Sequence, residues 1–181
     1  MIDEKGWYQK ARHVPSPFFD HRPDPLDISL LVIHNISLPP GQFDGPFIEQ
    51  LFTGQLEPTA HPFFEVIYQS RVSAHCVIRR DGEVVQFVPF TARAWHAGVS
   101  SFAGREKCND YSIGIELEGS DFIAYTDEQY QALTIITQVI QTCFPKITLP
   151  RITGHQYIAP MRKTDPGLVF DWTRYRSGLS G

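Results

Sequence analysis

The run Ser29-Leu30-Leu31-Val32-Ile33 is apolar from Leu30 onward, with no alternation. A strand that is apolar on both sides must be covered on both faces, which puts it in the middle of a sheet flanked by helices. The run passes directly into His34-Asn35, and Pro39-Pro40-Gly41 follows. Open α/β sheets gather their chemistry at the carboxyl ends of such strands. His34 is therefore either a core histidine satisfied by a backbone carbonyl or a residue of a site. A second segment, Tyr111 to Glu118, alternates. Ile113, Ile115 and Leu117 share one face, and Ser112, Gly114, Glu116 and Glu118 share the other. The second face is small and then acidic, which suits the floor of a cleft. Glu116 is read as a site residue and Glu118 as a solvated strand end.

Other elements are legible from punctuation. Ala74 to Arg79 and Glu83 to Val88 flank Asp81-Gly82, a hairpin signal for a type I′ turn. His75 alternates with Val77 and is read as structural, with a position facing the site as the alternative. Thr126-Asp127-Glu128-Gln129 is a capping box. The helix it opens carries Tyr130, Leu133, Ile136, Val139, Ile140 and Cys143 at three-to-four spacing and stops by Pro145. Shorter helices are expected at 46–52 and from Asp171, and residues 55–73 are expected to be loop. Residues 1–28 hold Pro15, Pro17, Pro23 and Pro25 and read as an irregular segment packed on the domain.

With 181 residues, 42% hydrophobic and 20% charged, the chain reads as a single α/β (α+β) domain over 1–181. A net charge of −4 argues against a nucleic-acid or anionic-membrane partner. No apolar stretch is long enough for a transmembrane helix, and Met1 to Lys5 lacks a signal-peptide pattern. Cys76, Cys108 and Cys143 are scattered and read as free thiols, so a cytoplasmic protein is expected. Nothing calls for an obligate protein partner.

The chemistry concentrates in Gly154 to Gly167, which holds His155, Lys163 and Asp165 among two prolines and two glycines. Pro166 biases Asp165 towards an extended conformation, and the glycines permit turns or close approach. Such rigidity around ionisable groups suits a metal site, whose ligands need fixed positions. A proline-rich loop with a solvated Asp and Lys is the plainer alternative. His34, His155 and Asp165 would supply two imidazoles and a carboxylate, leaving an open position as catalytic zinc requires. Non-haem iron could use the same set, but its usual His-x-Asp or His-x-Glu pair does not occur. Hydrolysis further needs a base for water, for which Glu116 is the candidate, and a cation for the oxyanion, for which Lys163 is. In Ala94-Trp95-His96-Ala97-Gly98 the small residues leave room for a ring against the Trp95 indole, which could equally be a core filler.

Together, His34-Asn35, Ser73-Ala74-His75, Ala94 to Gly98, Ile113 to Gly119, Gly154-His155 and Arg162 to Gly167 resemble the zinc-dependent N-acetylmuramoyl-L-alanine amidases, a group that includes the peptidoglycan recognition proteins. The resemblance spans nearly the whole chain. It is nearest to the branch acting on 1,6-anhydro-N-acetylmuramyl peptides in cytosolic cell-wall recycling. It implies a mixed β-sheet flanked by helices and one zinc per chain on His34, His155 and Asp165. It also implies catalytic roles for Glu116 and Lys163, and a muropeptide site lined by Asn35, Arg71, Ala94 and the basic residue at 107. That residue is Lys107, where the family leads one to expect arginine; lysine keeps the charge but lacks the bidentate fork. A wall-lytic amidase acting on intact murein and a non-catalytic peptidoglycan-binding module are the alternatives.

Overall fold

The apolar run and the alternating segment lie side by side as neighbours in one sheet. The computed structural model describes residues 1–180. In chain order the strands are β1 (Arg12–His13), β2 (Phe19–Asp20), β3 (Leu30–Ile36), β4 (Cys76–Ile78), β5 (Val84–Gln86), β6 (Arg93–Ala94), β7 (Ser101–Phe102), β8 (Arg105–Glu106), β9 (Ser112–Glu118) and β10 (Ile152–Gly154). The helices are α1 (Phe47–Thr53), α2 (Phe64–Ile67), α3 (Asp127–Cys143), α4 (His155–Ile158) and α5 (Trp172–Leu179).

Six strands form a mixed sheet in the order β1-β5-β4-β9-β3-β10. The four strands β4, β9, β3 and β10 run parallel, and the hairpin partner β5 runs antiparallel to β4. The carboxyl ends of the four parallel strands therefore meet at one edge of the sheet. Register sets what stands there: His34 pairs with Glu116, and Val77 pairs with Glu116 from the other side. Paired residues share a face, so His34 and Glu116 project together.

The opposite face is closed by helices. Leu31, Ile33, Cys76, Ile78, Ile113, Ile115 and Leu117 pack against Leu133, Ile136 and Ile140 of α3 and Tyr175 of α5. Each such side chain contributes roughly 1.5–3 kcal/mol when fully buried. The capping box forms as the sequence predicts: Thr126 accepts from the Gln129 N–H, and the Gln129 side chain accepts from the Thr126 N–H. The same Gln129 amide donates to the carbonyls of Ile78 and Glu118, so the helix start is tied to two strands. On the site face a second cluster packs α1 over Val77 and Val85. A third gathers Leu30, Val32, Ala97, Cys108, Tyr111 and Ile158 beneath the site.

Three expectations need correction. The hairpin is not closed by a type I′ turn. Among residues 79–83 positive φ occurs at Gly82 alone (+87°), and the Gly82 N–H donates to the Arg79 carbonyl. A type I turn followed by a left-handed glycine fits this three-residue loop. Residues 55–73 are not all loop, since α2 and a single 3-10 turn at Pro58–Ala60 lie within them. Residues 1–28 are mainly irregular, but β1 extends the sheet by pairing with β5, and β2 pairs with β6. Buried Gln86 anchors this segment: its side chain accepts from the Tyr8 N–H and donates to the Gly6 carbonyl.

Candidate active site

The parallel strands deliver their residues to one point. His34 lies near the end of β3, Glu116 beside it on β9, and His155 opens α4 immediately after β10. The segment after α4 doubles back, and its Asp165 carbonyl accepts from the Gln156 N–H. Gly167 makes this possible, because it has φ +84° and a Cβ there would lie 2.4 Å from the Asp121 Cα. Asp165 is thereby returned to His155, ten residues away in sequence.

The result is a tight triangle. His34 Nδ1 and His155 Nδ1 are 2.9 Å apart, and Asp165 Oδ2 is 3.1 Å from the first and 3.0 Å from the second. Among the described residues these three form the group whose donor atoms could hold a metal ion. Its chemistry fits a cation. His155 Nε2 is 3.1 Å from the Ala97 carbonyl, which only accepts, so the ring proton sits there and Nδ1 carries a lone pair. That lone pair faces a carboxylate and another imidazole nitrogen. Three Lewis bases converging with too few protons between them are stabilised by a positive ion, and a point about 2 Å from all three, the zinc–ligand distance, exists between them.

Burial and charge act together on these groups. Burial pushes the His34 imidazole down to about 4, against the pull of Asp165. Burial also tends to raise Asp165, but hydrogen bonds to His155 and His34 outweigh it and hold the carboxyl well below its ordinary range. Glu116 goes the other way. Burial and the nearby Asp165 charge raise it well above an ordinary carboxyl, with Lys163 opposing. Its Oε1 lies 3.9 Å from His34 Nδ1, while buried Oε2 has no hydrogen-bond partner among the described residues. Above the triangle opens a cleft of about 820 Å³, bordered by His34, Asn35, Trp95, Glu116, Asp121 and Lys163 among others.

A family model described as N-acetylmuramoyl-L-alanine amidase matches residues 24–168. The chain belongs to the N-acetylmuramoyl-L-alanine amidase family. The amidase is 62% identical over 176 residues to the 1,6-anhydro-N-acetylmuramyl-L-alanine amidase AmpD of Escherichia coli strain K12, covering 97% of this chain and 96% of that protein. A crystal structure of a selenomethionine AmpD derivative superposes with a TM-score of 0.96 at 61% identity, covering 99% of both chains. A more distant crystal structure, AmpDh3 of Pseudomonas aeruginosa in complex with anhydromuramic pentapeptide, matches with a TM-score of 0.62 at 25% identity, covering 98% of this chain and 66% of that one.

Not every residue named from the sequence reaches the amidase's cleft. Asn35 borders it and donates to Asp121 Oδ1 at 2.8 Å. Trp95 borders it with its ring stacked on Phe18. Arg71 is exposed in the loop just before Val72 and Ser73, which line the cleft. Lys107 has a left-handed backbone (φ 58°) and lines a neighbouring cavity of about 790 Å³; Arg162 borders both cavities. Ala94 departs from expectation. It is fully buried in the apolar cluster with Leu51, Phe52 and Phe87, where its β6 pairing with Phe19 holds it, and its side chain does not form the cleft wall.

Glu118 is not a solvated strand end. It is 1% exposed and accepts from the Asp44 N–H, Arg79 and the Arg80 N–H. His75 is buried and internally satisfied: Nδ1 accepts from the Gly114 N–H and Nε2 donates to the Ala92 carbonyl. His96, given no role from the sequence, stands in the cleft wall with its Nδ1 2.9 Å from His34 Nε2. It lies in a loop without periodicity, so no alternation pattern marks it. The His in Trp95-His96-Ala97 was the only available signal.

Proposed function

We propose that this amidase hydrolyses the amide bond between the lactyl group of 1,6-anhydro-N-acetylmuramic acid and L-alanine, using one zinc ion held by His34, His155 and Asp165. The observation that carries the reading is the 2.9–3.1 Å triangle of donor atoms with an unpartnered carboxylate oxygen of Glu116 beside it. Zinc bound there supplies Lewis acidity, making water a nucleophile near neutral pH and polarising the scissile carbonyl. The chain's residues do the rest. Glu116 removes a proton from the attacking water through its free oxygen. The Lys163 ammonium, on the cleft border, offsets charge on the tetrahedral oxyanion. Glu116 then returns the proton to the departing amine of L-alanine, so one group serves as base and then as acid. The Trp95 indole offers a flat wall for the sugar ring. Arg71 and Lys107 flank the cleft as cations for the peptide's carboxylates, which reconciles an acidic protein with an anionic substrate. The peptide complex of the P. aeruginosa relative supports this substrate class.

The site of action is the cytosol, where anhydromuropeptides return for recycling. No described helix is long and apolar enough to cross a membrane, which is compatible with that assignment. The test combines elemental analysis with a paired digest. Protein purified without chelator is expected to carry about one zinc per chain and to release peptide from anhydromuramyl tripeptide in preference to intact murein. Full activity without metal removes the zinc mechanism. Faster digestion of intact murein favours a wall-lytic role instead.

A further inference from the structure

We propose that His96 is a positioning residue that holds His34 in the tautomer able to bind metal, through a one-way chain of hydrogen bonds ending at Ser112. The proposal rests on the reading of His34 as a metal ligand. The two histidine ligands are anchored differently. His155 gives its Nε2 proton to the Ala97 carbonyl, an obligate acceptor, so its tautomer has no alternative. His34 Nε2 instead faces His96 Nδ1 at 2.9 Å, and His96 Nε2 faces Ser112 Oγ at 3.1 Å. Both partners can donate or accept. Two orderings therefore exist. In one, His34 Nε2–H donates to His96 and His96 Nε2–H donates to Ser112, which leaves the His34 Nδ1 lone pair in the triangle. In the other, Ser112 donates to His96 and His96 to His34, which places the His34 proton on Nδ1 and closes the triangle to a cation. A metal ion selects the first ordering, and His96 stabilises it by accepting the proton that His34 must carry on Nε2. Such outer partners orient a ligand and raise its basicity.

The surroundings are built to hold that ring. The His34 and His96 rings meet edge to face, with centroids 5.0 Å apart and planes at 89°. The His96 backbone N–H and that of Ala97 both donate to Asn109 Oδ1, which fixes the loop. On β9 the ring occupies the space a side chain at position 114 would need: a Cβ on Gly114 would lie 2.5 Å from His96 Cγ. A glycine inside a central strand weakens it, and here its role is to admit the imidazole. Ser112 is held in turn, with buried Arg22 donating to its carbonyl at 2.8 Å. Strand residues 112, 114 and 116 thus present, on one face, the acceptor for His96, the space for it and the catalytic carboxylate.

The test measures zinc affinity by competition with a chromophoric chelator, with imidazole nitrogen–proton spectra of His34 in the zinc-loaded protein. His96→Ala is expected to remain folded and to bind zinc about 10- to 100-fold more weakly than the parent. It should also lose the exchange-protected Nε2 proton of His34. His96→Asn places an amide oxygen near the Nδ1 position and is expected to recover most of the affinity and the protected proton. Rescue of this kind separates positioning from packing. An affinity for His96→Ala within about threefold of the parent, well short of the usual effect, overturns the proposal. Equal weakening in the Ala and Asn variants overturns it too, because only ring volume would then matter. If His96→Ala does not fold, Ser112→Ala keeps the ring and removes its acceptor. Weaker zinc binding with faster exchange of the His34 proton then supports the chain, and no change in either overturns it. A parent that takes up no zinc overturns the metal reading and this proposal with it, and the same titration shows that before any variant is compared.

Discussion

The two faces of the central sheet arise from the same alternating strands and end in opposite chemical states. On the helix-covered face, Ile113, Ile115 and Leu117 meet α3 and α5 in a continuous apolar cluster. On the other face of β9, Ser112, Gly114, Glu116 and Glu118 meet loops and a cleft. Even within that face the outcome divides. Glu118 receives bonds from Asp44, Arg79 and Arg80 at the end of the strand. Glu116, two residues earlier, keeps an oxygen with no partner and is pushed towards protonation by burial and Asp165. Burial alone therefore does not distinguish structure from function. A buried carboxylate supplied with donors holds the fold together, and one left without them is free to take a proton.

The contrast can be broken by substitution, and the largest effect is expected at Glu116. Glu116→Gln is isosteric and cannot accept the proton. Turnover should fall about 10²- to 10⁴-fold, equivalent to roughly 2.7–5.4 kcal/mol in the barrier, with zinc content and thermal midpoint unchanged. Turnover of a zinc-loaded, folded variant within about threefold of the parent would move the base elsewhere. Next comes the helix-covered face. Leu133→Ala should cost about 2–5 kcal/mol of unfolding free energy in urea titrations, while the folded fraction keeps its zinc and turnover. A large loss of turnover in the folded fraction would mean that the two faces are not independent. Glu118→Gln is expected to resemble Leu133→Ala rather than Glu116→Gln. It should lose about 1–3 kcal/mol of stability, because charged donors lose their anion, with little change in turnover.

The smallest effect belongs to pH and to His75, a buried imidazole outside the triangle. Burial and the neighbouring Arg22 charge push His75 down to about 3. The folded protein then binds fewer protons than the unfolded chain between that value and the unfolded pKa of about 6.5. His75 therefore contributes stability that is fully present above about pH 6.5 and is lost as pH falls towards 3, at no more than about 1.4 kcal/mol per unit. Urea titrations at pH 7.5 and 5.5 should show a smaller pH dependence for His75→Gln than for the parent. Identical pH dependence would show that other groups carry the acid sensitivity.

Much of the frame was legible because it is written in local periods. The apolar run at 30–33, the alternation at 112–118 and the capping box at 126–129 each use residues within a few positions of one another, and each became the expected element. The donor cluster that could hold a metal ion was legible through residue type: two histidines and an aspartate near a strand end and in a rigid loop. What escaped depended on contacts between distant segments. Arg79, Arg80 and Asp44 turned Glu118 from a surface carboxylate into a buried one, and none is near it in sequence. The pairing of β1 with β5 joins residues more than 70 positions apart.

By itself, then, the sequence determined the strands, the long helix and the identity of the donor groups, since dihedral preference, side-chain period and proton affinity are properties of residues and near neighbours. Only the tertiary structure decided which groups are left without partners. The register of β3 on β9 set His34 beside Glu116, the turn at Gly167 returned Asp165 to His155, and the absent side chain at Gly114 let His96 reach His34. Those outcomes follow from which backbones approach within hydrogen-bond distance, a condition set by packing across the whole domain and by no single stretch of it.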